Sequence, residues 1–268
     1  MTAPAREVVI RGVDALRRSA LWWTFGIVVF VLINLAFWPS LRDSDTLQSL
    51  EESTGELLEA FGGAGLATAP GYLDGQVFAL MLPLLLSGMA LAMVTALTAG
   101  DEDAGRLELL HALPLSRRTL WLGRFAAVLA TLVAVTAVVA ASMLVSLPAF
   151  QLTDAGYGRV IAATAACGLL GLFHGAVGYA AAGAGFSRAR AVSSGVVVLV
   201  VGYLMSAVLP LADALEPARN VSPWYWAIRT QPVSEGVPWL GCLALLAVTA
   251  ALVAFGTARV ERRDIRAA

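Results

Sequence analysis

The chain contains no lysine; all eighteen of its basic residues are arginine. A phosphate-binding loop of the Gly-Lys-Ser/Thr type needs that lysine, so the chain is not expected to bind and hydrolyse nucleotide by itself. Charge of any sign is scarce. Asp, Glu, Lys and Arg make up 14% of 268 residues against 59% hydrophobic residues, which leaves nowhere for a sizeable soluble domain. Only two cysteines and two histidines are present. No His/Cys/Asp/Glu set has metal-ligand spacing, so no metal site is expected. Cys167 and Cys242 read as small buried hydrophobes. Gly-x-Ser-x-Gly is absent, which removes a serine nucleophile elbow. Neither a catalytic residue nor a cofactor of the chain's own is expected.

What is abundant is uninterrupted apolar sequence. Residues 19–41, 75–100, 125–153, 160–187, 191–212 and 236–258 contain no Asp, Glu, Lys or Arg. About twenty apolar residues at ~1.5 Å rise cross a ~30 Å hydrocarbon core. Backbone in lipid must satisfy itself as a helix or a closed barrel, and continuous rather than alternating apolar runs exclude barrel strands. The fold class is therefore an all-α membrane protein with six transmembrane helices, organised as a single domain over 1–268. The first run is long and follows a charged segment, so it reads as a retained span rather than a cleaved leader. The exclusive use of Arg with heavy Ala, Val and Leu content suits a GC-rich bacterial genome, placing the chain in a bacterial cytoplasmic membrane as a multi-pass protein.

Arginine placement orients the spans. With the N-terminus inside, fourteen arginines fall on cytoplasmic segments and four (Arg42, Arg159, Arg219, Arg229) on external ones. The positive-inside rule then puts both termini in the cytoplasm. Trp22, Trp23 and Trp121 lie near inner span ends, and Trp38, Trp224, Trp226 and Trp239 near outer ends, as expected for headgroup anchors.

Little sequence lies between the spans. Residues 4–18 place Val8, Val9, Val13 and Leu16 near helical spacing, with Glu7/Arg11 and Asp14/Arg18 four apart. This predicts an amphipathic helix along the inner membrane face. The external loop 42–74 carries seven acids and one Arg. Leu47, Leu50, Leu57, Leu58 and Phe61 recur there at helical spacing, ended by Gly62, Gly63 and Gly65. The external segment 213–236 joins three prolines to Trp224-Tyr225-Trp226 and predicts short helices at the interface. Within the spans, Gly171-x-x-x-Gly175 reads as a close helix-packing face. His174 beside it reads as a neutral imidazole bonded across a helix contact, because no carboxylate is available to partner it.

The cytoplasmic loop 101–118 is the one place able to receive energy from another subunit. Asp101-Glu102-Asp103 opens it, suiting the positive end of a helix dipole. Leu109, Leu110 and Leu113 share one face, Glu102 and Arg106 are paired four apart, and Pro114 stops the element at Leu113. Ser116 then caps the helix entering the third span. From the residues alone this short helix either merely closes a loop at the interface or docks on a partner.

Ala99-Gly100-Asp101-Glu102-Asp103-Ala104-Gly105-Arg106-Leu107-Glu108-Leu109-Leu110, followed by Leu113-Pro114-Leu115-Ser116-Arg117, resembles the signature of ABC type 2 exporter permeases. The ending Val260-Glu261-Arg262-Arg263-Asp264-Ile265 is similar to the tail of actinobacterial drug-resistance members. Pro70-Gly71-Tyr72-Leu73 and Ser222-Pro223-Trp224 fit as well. The acidic external loop departs from the family pattern. The resemblance implies a permease that dimerises, in the simplest case as a homodimer, on two ATPase subunits that carry ATP and Mg. Asp101, Glu102, Gly105, Arg106, Glu108, Leu109, Leu110 and Leu113 would form the coupling helix, and 4–18 the elbow helix. Spans two and five would wall the substrate path, with Pro83 and Gly88 bending span two and with Ser87, Ser194 and Tyr203 as polar handles. Membrane lipid is the other expected partner, and no nucleic acid is expected. A non-transporting scaffold or sensor tied to an ATPase is the main rival reading. An intramembrane protease, suggested by Glu51-Glu52, is weaker because that pair lies in an external loop without a partnered His.

Overall fold

The computed structural model describes residues 3–42, 65–105, 116–229 and 231–262. Six helices are long and apolar enough to cross a membrane, and no strand occurs among the described residues. They are α1 (Ala3–Leu41), α2 (Ala69–Asp103), α3 (Arg117–Ser146), α4 (Tyr157–Gly183), α5 (Arg188–Leu211) and α6 (Trp239–Arg262). The helix expected within 43–64 lies outside the described residues, as do Arg106, Glu108, Leu109, Leu110 and Leu113.

Helices α2 and α4 form the centre. Their most apolar windows are 67% and 61% buried, while those of the other four helices are at most 33% buried. Glycine makes this possible. A Cβ on Gly171 would stand 3.0 Å from the Leu86 carbonyl oxygen, and one on Gly178 would stand 2.6 Å from Leu91 Cδ1. Neither separation leaves room for a methyl group, so α4 presents a bare edge to α2 and the two backbones approach closely, the small-residue packing expected of spans in lipid. The same device recurs where α4 meets α6: a Cβ on Gly183 would collide with the Gly256 backbone. Tyr179 and Thr257 hydrogen-bond across that contact at 2.9 Å.

Segment 4–18 is not a separate helix. It is the first part of a continuous α1, because Pro4 falls in the first turn, where it is tolerated, and Pro39 comes only in the last turn. Val8 packs against Gly123, and Gly12 against Ala127, so this segment lies along the inner end of α3. The expected Glu7–Arg11 pair forms at 2.8 Å. Gly12, Leu16, Ile27, Val31, Leu35 and Trp38 make its buried stripe. Trp22, Phe25, Ile33 and Phe37 face outward.

Helix α2 is interrupted twice. A π-turn spans Asp74–Phe78, the backbone breaks at Leu80 (φ −139°, ψ −55°) before the segment Met81–Leu97 begins, and it breaks again at Thr98. Pro83 explains the first break. A proline cannot donate to the carbonyl four residues earlier, here that of Ala79. Gly88, expected to share in the bend, lies inside the regular segment Met81–Leu97. Helix α5 also ends irregularly, with a π-turn at Leu204–Val208 and a 3-10 turn at Leu209–Leu211. A 3-10 helix (Asp213–Val221) and a short helix (Pro223–Ala227) follow, as expected for 213–236.

Candidate functional site

Polar groups concentrate at the two ends of the bundle. At the inner end, the Asp101 carboxylate pairs with the Arg124 guanidinium of α3 at 2.8 Å, with side-chain exposures of 16% and 6%. Arg124 also donates to the Leu97 carbonyl, the last helical position before the break at Thr98. One arginine thus closes a broken helix end and holds the carboxylate just beyond it. A second link reaches α5, where the Asp103 carboxylate accepts the Arg188 backbone N–H at 2.8 Å. Asp103 does there what Ser187 does not, since Ser187 precedes α5 without a side-chain cap.

These links fix 101–105 to α3 and α5 at once. Among the predicted coupling residues, Asp101 is held in the Arg124 pair, Glu102 is buried, and Gly105 turns the chain with φ +67°. That left-handed conformation favours glycine. Ser116 caps α3 as expected, its hydroxyl accepting the Thr119 N–H at 3.1 Å. Arg124 went unnoticed as a site residue because its position before an apolar run marks it only as a topology signal.

At the outer end, the segment after Val221 packs against α6, α4 and α5 and reaches α2 through Trp224. Ser222 caps Pro223–Ala227 and its hydroxyl donates to the Gly202 carbonyl of α5 at 2.6 Å. Trp224 Nε1 donates to the Ala79 carbonyl of α2 at 3.2 Å, the acceptor that Pro83 leaves unused. The indole is 2% exposed and packs on Tyr203 at 5.3 Å and on His174 at 6.5 Å between ring centroids. The His174 Nδ1 lies 2.9 Å from the Leu170 carbonyl of its own helix. Its hydrogen bond is therefore local rather than across a helix contact, and the contact with Trp224 is an edge-type ring packing.

Nine residues after Trp224, Val233 and Ser234 are gripped from two sides. The buried Asp74 carboxylate accepts the N–H of Val233 at 2.7 Å and of Ser234 at 2.8 Å. Arg159 of α4 donates to the carbonyl of Ser234 at 3.2 Å and more loosely to that of Val233 at 3.4 Å. Buried backbone N–H groups need partners, and a carboxylate makes the stronger, charge-assisted kind.

The predicted path residues separate accordingly. Tyr203 packs on Trp224, and Pro83 lies one turn from the Ala79 carbonyl that Trp224 bonds. Ser87 is fully buried one turn inward on α2, and its hydroxyl has no hydrogen-bond partner. Ser194 is half-buried on α5 and donates to the Arg190 carbonyl of its own helix at 2.9 Å. Trp121 and Trp224 are buried against protein rather than set in headgroups, whereas Trp22 and Trp239 remain exposed. Two adjoining grooves of about 500 and 380 Å³ on the flank of α3, α4 and α6 share Leu129 and Leu172. They are aliphatic apart from Phe125, Arg118, Glu261 and four threonine or glycine positions.

Six apolar helices around a glycine-packed centre, with polar fastenings at the two ends, define a multi-pass membrane protein. The family described as Multidrug efflux system permease Rv1217c, C-terminal domain, matches residues 13–260. The chain belongs to that family, in agreement with its resemblance to type 2 exporter permeases. No curated protein matches it.

Proposed function

We propose that the chain is the membrane subunit of an ATP-driven exporter in a bacterial cytoplasmic membrane, working as a pair of copies on two separate ATPase subunits that hold ATP and Mg. The observation that carries this reading is the inner fastening. Asp101 bonded to Arg124 and Asp103 bonded to Arg188 tie the inner end of α2, from which the loop departs, to α3 and α5. A loop that only closed a gap between α2 and α3 needs no such mount. A loop that must pass force from a partner to the pathway helices does, because displacement then reaches α2, α3 and α5 together. Leu109, Leu110 and Leu113 would supply the apolar seat in the ATPase, and Glu108 and Arg106 the polar contacts beside it. With Asp101 and Glu102 turned into the protein, these two support the seat instead of touching the partner.

The cargo is apolar or amphipathic. The spans offer few polar handles, and the flank grooves are almost wholly aliphatic. The test is co-purification with an ATPase encoded beside the chain, followed by a screen of lipophilic compounds for those that change ATP turnover. Leu110→Ala should lower either the affinity for the ATPase or the transport achieved per ATP, leaving expression unchanged. Wild-type binding and wild-type coupling in that variant would show that the loop is only a closure.

A further inference from the structure

We infer that the groove on the flank of α3, α4 and α6 is a binding slot for one phosphatidylethanolamine molecule of the surrounding membrane, its phosphate held by Arg118 and its ammonium by Glu261. Such a lipid would be held whether or not the chain exports anything.

Side-chain size makes the slot. Helix α6 brings Ala250, Ala254 and Ala258 to it, four residues apart and hence on one face, where they leave a hollow beside Leu122, Phe125 and Leu129 of α3. From Arg118 to Leu129 the helix α3 rises about 16 Å. That is about half of the ~30 Å hydrocarbon core, the depth of one leaflet. At Leu129 and Leu172 the second groove continues the first toward the other membrane face, and it has no charged lining residue. A headgroup therefore has one place to sit, at the mouth where α3 begins and α6 ends. The positive-inside rule puts that mouth on the cytoplasmic leaflet.

Charge decides the occupant. Arg118 on α3 and Glu261 on α6 are the charged residues of the lining, one of each sign. Both are exposed, and among the described residues neither is ion-paired. A guanidinium takes a phosphate through paired N–H donors, and a carboxylate takes a primary ammonium, which offers three. Phosphatidylethanolamine carries both groups. Phosphatidylglycerol would set an uncompensated negative charge near Glu261, and phosphatidylcholine keeps the positive charge but has no N–H to donate. Acyl chains gain little from the slot over the surrounding lipid, because lipid tails are as apolar as leucine. Selectivity therefore falls on the headgroup.

The experiment uses the full chain purified in detergent and titrated with dioleoyl phosphatidylethanolamine, phosphatidylcholine or phosphatidylglycerol. Native mass spectrometry counts the lipids bound per chain. One phosphatidylethanolamine should bind each copy about fivefold more tightly than either other lipid, the size expected of charged headgroup bonds at an exposed mouth. Glu261→Gln should remove the preference over phosphatidylcholine, and Arg118→Gln should weaken the ethanolamine and choline lipids alike. Ala254→Phe, which fills the slot without touching either charge, should abolish the tight site for all three lipids. Arg118, Ala254 and Glu261 are exposed, and a melt against wild type checks that each variant folds; Ala250→Leu replaces Ala254→Phe should the latter fail. Equal affinity for the three lipids overturns the assignment. So does a preference for phosphatidylglycerol, which the neighbouring Arg259 and Arg262 would draw without any slot, or a preference for phosphatidylethanolamine that survives Glu261→Gln or the filled slot.

Discussion

Replacing Arg124 with Met tests the inner fastening. The substitution keeps an unbranched apolar stem in a site where the side chain is 6% exposed and removes only the guanidinium. Among the described residues, the Asp101 carboxylate and the Leu97 carbonyl each lose their bond to Arg124. Breaking a buried pair from one side typically costs about 3–5 kcal/mol, and an abandoned buried carbonyl about 1–3 kcal/mol. Asp101 keeps 16% side-chain exposure, so water recovers part of the loss and about 3 kcal/mol remains. For a chain of this size that corresponds to a fall on the order of 6–12 °C in the unfolding midpoint, measured in detergent by tryptophan fluorescence. Adding Asp101→Asn should return part of that loss, because the second change removes the stranded charge. A double variant less stable than the sum of the two singles, or an Arg124→Met chain melting within ~1 °C of wild type, would refute the claim that the pair mounts the loop.

Other expected outcomes are quickly stated. Gly183→Ala should destabilise by about 1–3 kcal/mol in the same melt, since a Cβ there meets the Gly256 backbone, which has no rotamer to yield. Trp224→Phe keeps the aromatic packing but leaves the Ala79 carbonyl without its donor, and should lower the midpoint by the equivalent of about 1–3 kcal/mol. Native mass spectrometry of the complex should find two copies of the chain, since one self-complementary patch closes a two-fold pair; a single copy beside a different permease would indicate a heterodimer.

The architecture was legible because its signal is long and local. Six runs without a charge specify six helices, and Gly171-x-x-x-Gly175 marks the face on which α4 meets α2. Local signals also placed the Ser116 cap and the short helices after Asp213. The fastenings were not legible. Asp74 and Arg159 come from different helices and act on the backbone of Val233 and Ser234, and a backbone partner leaves no mark in side-chain spacing. Arg124 and Trp224 carried signals of another kind, a topology charge and a headgroup anchor, and tertiary packing buried both. The amphipathic pattern of 4–18 was real, and Val8 and Gly12 on it meet α3, a partner that periodicity alone does not name. Pro83 was the right residue for the bend in α2; the break falls three residues before it, at Leu80.

The most direct test of the exporter account is transport by a defined pair. Inside-out vesicles containing the chain and its neighbouring ATPase should accumulate a lipophilic fluorescent compound when ATP and Mg are supplied. Vesicles carrying Leu110→Ala should hydrolyse ATP while accumulating markedly less. Accumulation by the chain without any ATPase, or none by the wild-type pair for any lipophilic compound that stimulates its ATP turnover, would contradict the account.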